Sequence, residues 1–334
     1  MVKPLRLVFC GTPEFAVPTL EALVDAGHEV AAVLTQPDRP VGRRQVMTAP
    51  AVKVRALELG LAVDQPETIR RNEPLRARLE ALAPDAIVVV AYGRILPEWM
   101  LQLPRLGCIN LHGSLLPRHR GAAPIQWALA LGDRVTGNTT MLLDAGLDTG
   151  PILLQQTVEL TPEMTSMELF PLLATRGAPL MVETLQGLAA GTLVPRAQDA
   201  SQATLARLLT REDGRMEFAQ QTATEIWNRW RGFQPWPGVF TVWQGRKLIV
   251  HRLRPAELAA TAQPGEVRVQ GSAKGSAAGS TAGQRLLVAC AGGSWLELEE
   301  VQLEGRGRMR AEEFLRGLPD ASAIRFGTPA ESEA

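Results

Sequence analysis

Residues 5–10 form an apolar run broken only by Arg6 and closed by Gly11-Thr12-Pro13. Residues 14–26 then place Phe15, Leu20, Leu23 and Val24 at helical spacing and stop at Gly27, and residues 29–35 make a second short apolar run. A strand, a helix and a strand in that order pair the two strands in parallel, because the crossover returns the chain to the same edge. A parallel sheet must be covered on both faces, which commits this part of the chain to an α/β architecture. The arrangement invites a dinucleotide site, but the fingerprint fails. Pro13 and Ala16 stand where its second and third glycines belong, so a pyrophosphate cannot approach the backbone closely and NAD is a poor fit.

At 334 residues the chain is long for one domain, and its hydrophobic content of 46% suffices for two cores. No apolar run reaches membrane-spanning length, and the chain enters its first strand within a few residues of Met1. No signal peptide or membrane anchor is expected. Cys10, Cys108 and Cys290 lie far apart, which suits a reducing compartment and gives neither a disulfide nor a zinc pattern; each reads as a small buried hydrophobe. The formal net charge is zero, yet it divides unevenly. Residues 1–206 carry 18 Lys and Arg against 20 Asp and Glu, and residues 207–317 carry 16 against 12. Ordinary fluctuation and a nucleic-acid face explain that mild basic bias equally well.

After the second strand comes a long connection, residues 36–50, with three arginines (Arg39, Arg43, Arg44) and no apolar periodicity. Its composition fits a solvated surface insertion slightly better than a basic finger on phosphates. Residues 51–59 and 75–82 read as helices. Residues 86–91 read as a strand buried on both faces, with 92–97 as its exit loop. Residues 107–124 begin as a strand and end as a loop of Gly, Ser, Pro and Arg, with a helix over 124–131. A further strand over 139–143 runs into Asp144-Ala145-Gly146-Leu147-Asp148-Thr149-Gly150-Pro151. Thr165 with Glu168 makes a capping box before a helix of roughly 20 residues, disturbed at Gly177-Ala178-Pro179. These elements assign residues 1–193 to one domain and 194–206, which are polar and aperiodic, to a linker.

From 207 the texture changes. Thr222 and Glu225 cap a short helix bearing Trp227 and Trp230. Short alternating runs follow at 239–243, 247–254, 266–269, 286–291 and 295–301, with Gln244-Gly245 as a hairpin turn. Five short strands in about 100 residues suggest a small antiparallel barrel spanning 207–317. Residues 271–283, built from Gly, Ser and Ala, read as a flexible loop, and 318–334 as a tail.

Active sites of mainly parallel sheets sit beyond the carboxyl ends of the strands. His112 stands at such an end. Asn110, two residues earlier, shares its face of the strand, roughly 7 Å away. Asp148 lies in the loop after another strand. Of the four histidines, His28 suggests a structural role, His251 sits in an alternating strand, and His119, among arginines, reads as solvated. An Asn-x-His pair alone is at least as often structural as functional. Together, however, an amide, an imidazole and a carboxylate can stabilise an oxyanion and move a proton, since a carboxylate beside an imidazole favours its protonated form. That set suits transfer of an acyl-level group to an amine through a tetrahedral intermediate. Cys108 shares the face but lies roughly 13 Å from His112 along an extended strand, so it reads as core. Ser114 lacks the nucleophile-elbow frame.

Ile109-Asn110-Leu111-His112-Gly113-Ser114-Leu115-Leu116-Pro117-Arg118-His119-Arg120-Gly121-Ala122-Ala123-Pro124, followed by Asp144-x-Gly146-Leu147-Asp148-Thr149-Gly150, resembles the 10-formyltetrahydrofolate-dependent formyltransferases. Phe9-x-Gly11-Thr12-Pro13, Thr35-Gln36-Pro37-Asp38-Arg39-Pro40-x-Gly42-Arg43, Ala91-Tyr92-Gly93 and Pro235-Trp236-Pro237 resemble the branch that formylates the α-amino group of initiator methionyl-tRNA. The likeness spans nearly all of residues 5–317. It implies a Rossmann-like catalytic domain followed by an OB-like barrel, 10-formyltetrahydrofolate as co-substrate, no metal, and a cytoplasmic monomer with no membrane association. By position it implies Asn110, His112 and Asp148 as the catalytic trio and Ser114, Leu115, Leu116 and Pro117 as the folate-contacting segment. It makes residues 36–50, with Arg39, Arg43 and Arg44, the insertion that meets the tRNA acceptor end, reversing the compositional reading. Two departures stand out: Arg44-Gln45-Val46 replaces the lysines frequent in that insertion, and His119 replaces a large aromatic ring. An amino-sugar nucleotide formyltransferase would keep the trio but not the 36–43 motif, and a glycinamide-ribotide formyltransferase would leave the C-terminal barrel unexplained.

Overall fold

The computed structural model describes residues 3–42, 44–271, 283–317 and 324–327. Arg43, most of the Gly/Ser/Ala-rich stretch and nearly all of the C-terminal tail lie outside the described residues. The chain forms two compact units. One is made of residues up to Ile125 with Arg134–Thr161 and Glu168–Leu208, and the other of Gln126–Asp133, Pro162–Met167 and the chain from Leu209 onward.

In the first unit, apolar runs become β1 (Arg6–Gly11), β2 (Glu29–Leu34), β5 (Val63–Asp64), β6 (Ala86–Val90), β7 (Cys108–His112), β8 (Val135–Leu142) and β9 (Ile152–Glu159), while β3 (Arg39–Val41) and β4 (Val46–Thr48) form a separate hairpin. The seven form one sheet in the order β5-β2-β1-β6-β7-β8-β9. The strands from β5 to β7 pair in parallel, as the opening crossover requires, whereas β8 pairs antiparallel with both β7 and β9. Strand β9 is absent from the sequence reading because Gln155, Gln156 and Thr157 interrupt its apolar pattern. Residues 36–50, read as an irregular loop, contain the β3–β4 hairpin instead.

The helices α1 (Val17–Asp25), α2 (Ala51–Glu58), α3 (Glu73–Leu82), α4 (Glu98–Leu101) and α6 (Ser166–Ala190) supply the cover, whereas α5 (Pro124–Ala130) belongs largely to the second unit. Period two in β1 sends Leu7 and Phe9 to one face with Leu20, Leu23, Val52, Ala56, Met181 and Leu185, and Val8 and Cys10 to the other with Leu75, Leu79 and Met100. Helix α6 runs unbroken through Gly177-Ala178-Pro179. At Gly177 the helix passes so close to β7 that an added Cβ would lie 2.6 Å from the end of the Leu111 side chain, which would have to shift.

The second unit holds β10 (Val239–Trp243), β11 (Arg246–Ala256), β12 (Val267–Gln270), β13 (Arg285–Ala289), β14 (Trp295–Leu303) and β15 (Met309–Arg310) in an antiparallel sheet of order β10-β11-β14-β13-β12, with β15 on β14. The turn between β10 and β11 is Gln244-Gly245 with φ of 49° and 70°, the primed-turn geometry that matches strand twist. Helix α7 (Ala223–Gly232) opens on the capping box, in which Glu225 N–H donates to Thr222 Oγ1 at 3.2 Å and Thr222 N–H to Glu225 Oε2 at 2.7 Å. It buries Ile226 against Leu248, Val250 and Leu298, with Phe314 of α8 (Ala311–Arg316) in the same core. Trp227 and Trp230 stack with centroids 5.0 Å apart.

Candidate active site

Strand β7 is buried along its whole length. Ile109 and Leu111 face the α1/α2/α6 side, so Cys108, Asn110 and His112 share the other face. Cys108 is core, as expected: it packs with Met100 and Leu79, and burial pushes its thiol pKa up to about 12. Asn110 and His112 continue that face to the end of the strand.

The His112 ring is held at one nitrogen and faces a carboxylate with the other. Nε2 lies 2.9 Å from the carbonyl oxygen of His119, which can only accept, so Nε2 carries a hydrogen. Nδ1 faces Asp148 Oδ2 at 3.8 Å, with the His112 and Asp148 side chains 6% and 12% exposed. Nδ1 is therefore the position free to take up or give back a proton. The Asn110 amide is nearly buried and makes no side-chain hydrogen bond among the described residues, so its N–H groups remain available to a ligand oxygen.

Asp148 reaches this point by a route that a parallel strand order does not foresee. Because β8 is antiparallel, its carboxyl end lies beside the amino end of β7, where Leu143 N–H bonds to the Cys108 carbonyl. The 144–151 loop thus leaves from the far end and folds back to bring Asp148 to His112. Asp148 sits at φ 53°, and its Oδ2 accepts from Gly121 N–H at 2.8 Å. Inside the loop, Thr149 Oγ1 donates to Asp144 at 2.7 Å. Gly150 passes so close to β8 that a Cβ would lie 1.9 Å from the Leu142 carbonyl oxygen.

In the segment 114–117, Ser114 is fully buried and donates to the Arg118 carbonyl at 2.7 Å. Thr139 Oγ1 donates to the Ser114 carbonyl at 2.6 Å and accepts from Leu116 N–H at 3.1 Å. Leu116 packs with Met141 and Ile152. Ser114 and Leu116 are thus anchored within the fold, while Leu115 and Pro117 are only half-buried.

The hairpin arginines stand apart from the trio. Arg39 and Arg44 are exposed, and their side chains have no carboxylate partner among the described residues. The hairpin stem is tied down by Asp38, which takes Lys53 Nζ at 2.7 Å and Gln65 Nε2 at 2.7 Å; those hydrogen bonds hold its carboxyl below the usual range. Between the hairpin and the sheet lies an open cleft of about 370 Å³ whose lining includes Pro13, Gln36, Val41, Pro50, Ala91 and Tyr92. Val89 of β6 pairs with Asn110 of β7, so the carboxyl end of β6, from which Ala91 leads into the cleft, lies beside the carboxyl end of β7. Cleft and trio therefore share one edge of the sheet.

Compared with known families, residues 5–185 match one described as Formyl transferase, and residues 208–319 match its C-terminal domain. The chain belongs to the formyl transferase family. Among curated relatives of this formyl transferase, a methionyl-tRNA formyltransferase of Acidobacterium capsulatum is 60% identical over 323 residues, covering 97% of this chain and all of the relative. One from Koribacter versatilis is 52% identical over 321 residues, covering 96% and 98%. The fold also resembles the crystal structure of WlaRD, a sugar 3N-formyl transferase (TM-score 0.60, 14% identity, 91% of this chain and all of that one). A similar likeness extends to HypX of Aquifex aeolicus in complex with tetrahydrofolic acid (TM-score 0.57, 14% identity, 94% of this chain and 47% of that one).

Sequence reading of this formyl transferase misplaced His119. The side chain is 2% exposed rather than solvated, its φ is 59°, and its N–H donates to Thr204 Oγ1 at 2.8 Å. His28 is structural as expected, accepting Leu5 N–H at Nδ1. The reading also missed Gly121, Thr139 and Gln198 as supports of the site. Their contacts are made by main chain or by residues far apart in sequence, and neither leaves a local pattern.

Proposed function

We propose that the protein transfers the formyl group of 10-formyltetrahydrofolate to the α-amino group of initiator methionyl-tRNA in the cytoplasm. The observation that carries this reading is the convergence of Asn110, His112 and Asp148 at one strand end. The acceptor is argued from the near full-length identity to methionyl-tRNA formyltransferases. No helix among the described residues is long and apolar enough to cross a membrane.

The folate supplies the formyl carbon. The unpartnered Asn110 amide donates to the oxygen that becomes negative as the methionyl amine attacks that carbon. The Nε2 hydrogen of His112 is already directed at His119, so the ring works through Nδ1. His112 Nδ1 and Asp148 take the proton leaving the amine and return it to the departing folate nitrogen, and the carbon–nitrogen bond to the folate breaks as that proton arrives. The 3.8 Å separation is long for a hydrogen bond, as is common before substrate closes a site. Leu115 and Pro117 offer the apolar wall to the folate, with Ser114 and Leu116 fixing them from behind.

The acceptor end enters by the cleft beside His112, with the exposed Arg39 and Arg44 of the hairpin toward its phosphates. The second unit adds a further grip on the tRNA. Much of its positive charge is neutralised within the sheet, because Arg252, Arg254, Arg285 and Arg308 pair with Glu297, Glu299 and Glu300. Exposed Arg268 and Arg306, without carboxylate partners among the described residues, are better placed to meet phosphate.

The test offers 10-formyltetrahydrofolate with either charged initiator tRNA or a nucleotide-linked amino sugar and follows labelled formyl. Transfer to the methionyl amine is expected; transfer to the sugar alone would overturn the acceptor assignment.

A further inference from the structure

Residues 194–206 read as a featureless linker, yet they contain a side chain tied to both segments that address His112. Gln198 Oε1 accepts from Arg120 Nε at 3.0 Å and from Nη2 at 2.8 Å. Its Nε2 donates to the carbonyl of Asp148 at 2.8 Å and to that of Gly150 at 2.7 Å. One amide thus uses both ends, each satisfying two partners. On one side is the segment whose His119 carbonyl anchors His112 Nε2 and whose Gly121 N–H holds Asp148 Oδ2. On the other is the back of the loop that carries Asp148 itself.

The surrounding main chain fixes Gln198 in turn. Arg196 exchanges two hydrogen bonds of 2.8 Å with Ile152, just beyond the loop. Arg120 N–H bonds to the Thr204 carbonyl at 2.8 Å, and Ala206 N–H to the Arg120 carbonyl at 2.7 Å. Asp148 needs such support. It holds a left-handed backbone conformation that L-residues rarely adopt, on a loop that has crossed from the far end of the sheet. An amide is suited to this place because it accepts and donates at once. A carboxylate could still accept from Arg120 but would face two carbonyl oxygens with no hydrogen to offer.

We propose that Gln198 is the positioning residue for Asp148, aiming its carboxylate at His112 by clamping the Asp148 and Gly150 carbonyls to Arg120. The inference rests on the formyl-transfer reading. Gln198 touches no reacting atom, so its effect passes through Asp148.

The test is a double-mutant cycle with Q198E, D148A and the double variant, measuring kcat and KM for folate and for charged tRNA, with thermal unfolding as the fold control. Q198E is expected to lower kcat by ten- to about a hundredfold, with folate KM within about threefold of wild type. In the D148A background the same substitution should cost less than about twofold, since the residue it serves is gone. A kcat within about twofold of wild type, or an equal loss in both backgrounds, would overturn the proposal. Should Q198E not fold, Q198M removes all four bonds without adding charge and is judged by the same criteria. If neither folds, Gln198 is a residue of the fold and the proposal falls. A wild-type protein that formylates no methionyl-tRNA would instead sink the functional reading beneath it.

Discussion

His112 donates its Nε2 hydrogen to the main-chain carbonyl of His119 at 2.9 Å, so the ring is oriented by backbone rather than by a side chain. That bond leaves Nδ1, facing Asp148, as the working nitrogen, and it divides the labour of the trio. In the proposed transfer, Asn110 answers the developing negative oxygen, while His112 and Asp148 manage the proton.

Replacing Asn110 or His112 by Ala should therefore lower kcat by about a hundredfold or more while changing KM little, because each interaction matures only in the transition state. Steady-state formylation assays measure this. An unaltered kcat in either variant would remove that residue from the chemistry.

Native protein should keep its activity through treatment with iodoacetamide at pH 8. Cys10, Cys108 and Cys290 are all buried, and burial pushes the thiols of Cys108 and Cys290 up to about 12. Rapid inactivation with labelling of Cys108 would reopen a nucleophilic role.

Arg39→Ala and Arg44→Ala should each weaken tRNA binding and reduce the slope of log K against log salt by about 1, as loss of one phosphate contact does. Folate KM should not move. Filter binding across a salt series reads the slope, and an unchanged slope in both variants would make the hairpin a surface ornament.

Gly150→Ala places a methyl group 1.9 Å from the Leu142 carbonyl oxygen, and backbone rather than a pliable side chain must yield. A loss of about 2 kcal/mol or more in chemical denaturation is expected. kcat should fall as well, because the displaced loop carries Asp148.

The second unit should carry an acid-sensitive ion cluster. Burial pushes the Glu297 carboxyl up, but hydrogen bonds from Arg285 and Arg254, with their charges, outweigh it and hold the group below its ordinary range. A depressed carboxyl contributes stability above its unfolded value, and that stability is lost as pH falls through the folded value. Thermal midpoints should therefore drop below about pH 4.5, and Glu297→Gln should lower the midpoint at pH 7 while flattening the acid limb. An acid limb as steep as that of the wild type would assign the sensitivity to other groups.

Much of this molecule is legible in its residues. The strand–helix–strand opening, the buried β6 and the Asn110–His112 pair follow from local spacing, since hydrophobic period and turn chemistry act over a few residues. So do the capping box before Trp227 and the Gln244-Gly245 turn. Strand β9 escapes because its polar residues hide the period, and the β3–β4 hairpin because three-residue strands leave almost none.

The remainder depends on packing between distant segments. Nothing local shows that β8 runs antiparallel, that the 144–151 loop must fold back from the far end of the sheet, or that His119 is buried with its carbonyl on His112. Nor does it show that Gln198, 50 residues beyond Asp148, clamps the loop. The local pattern supplied two functional groups on one strand face. Asp148 is brought to that face by contacts between distant segments, largely with main-chain groups such as the Gly121 N–H and the Gly150 carbonyl, which any residue carries and which therefore leave no trace in residue type.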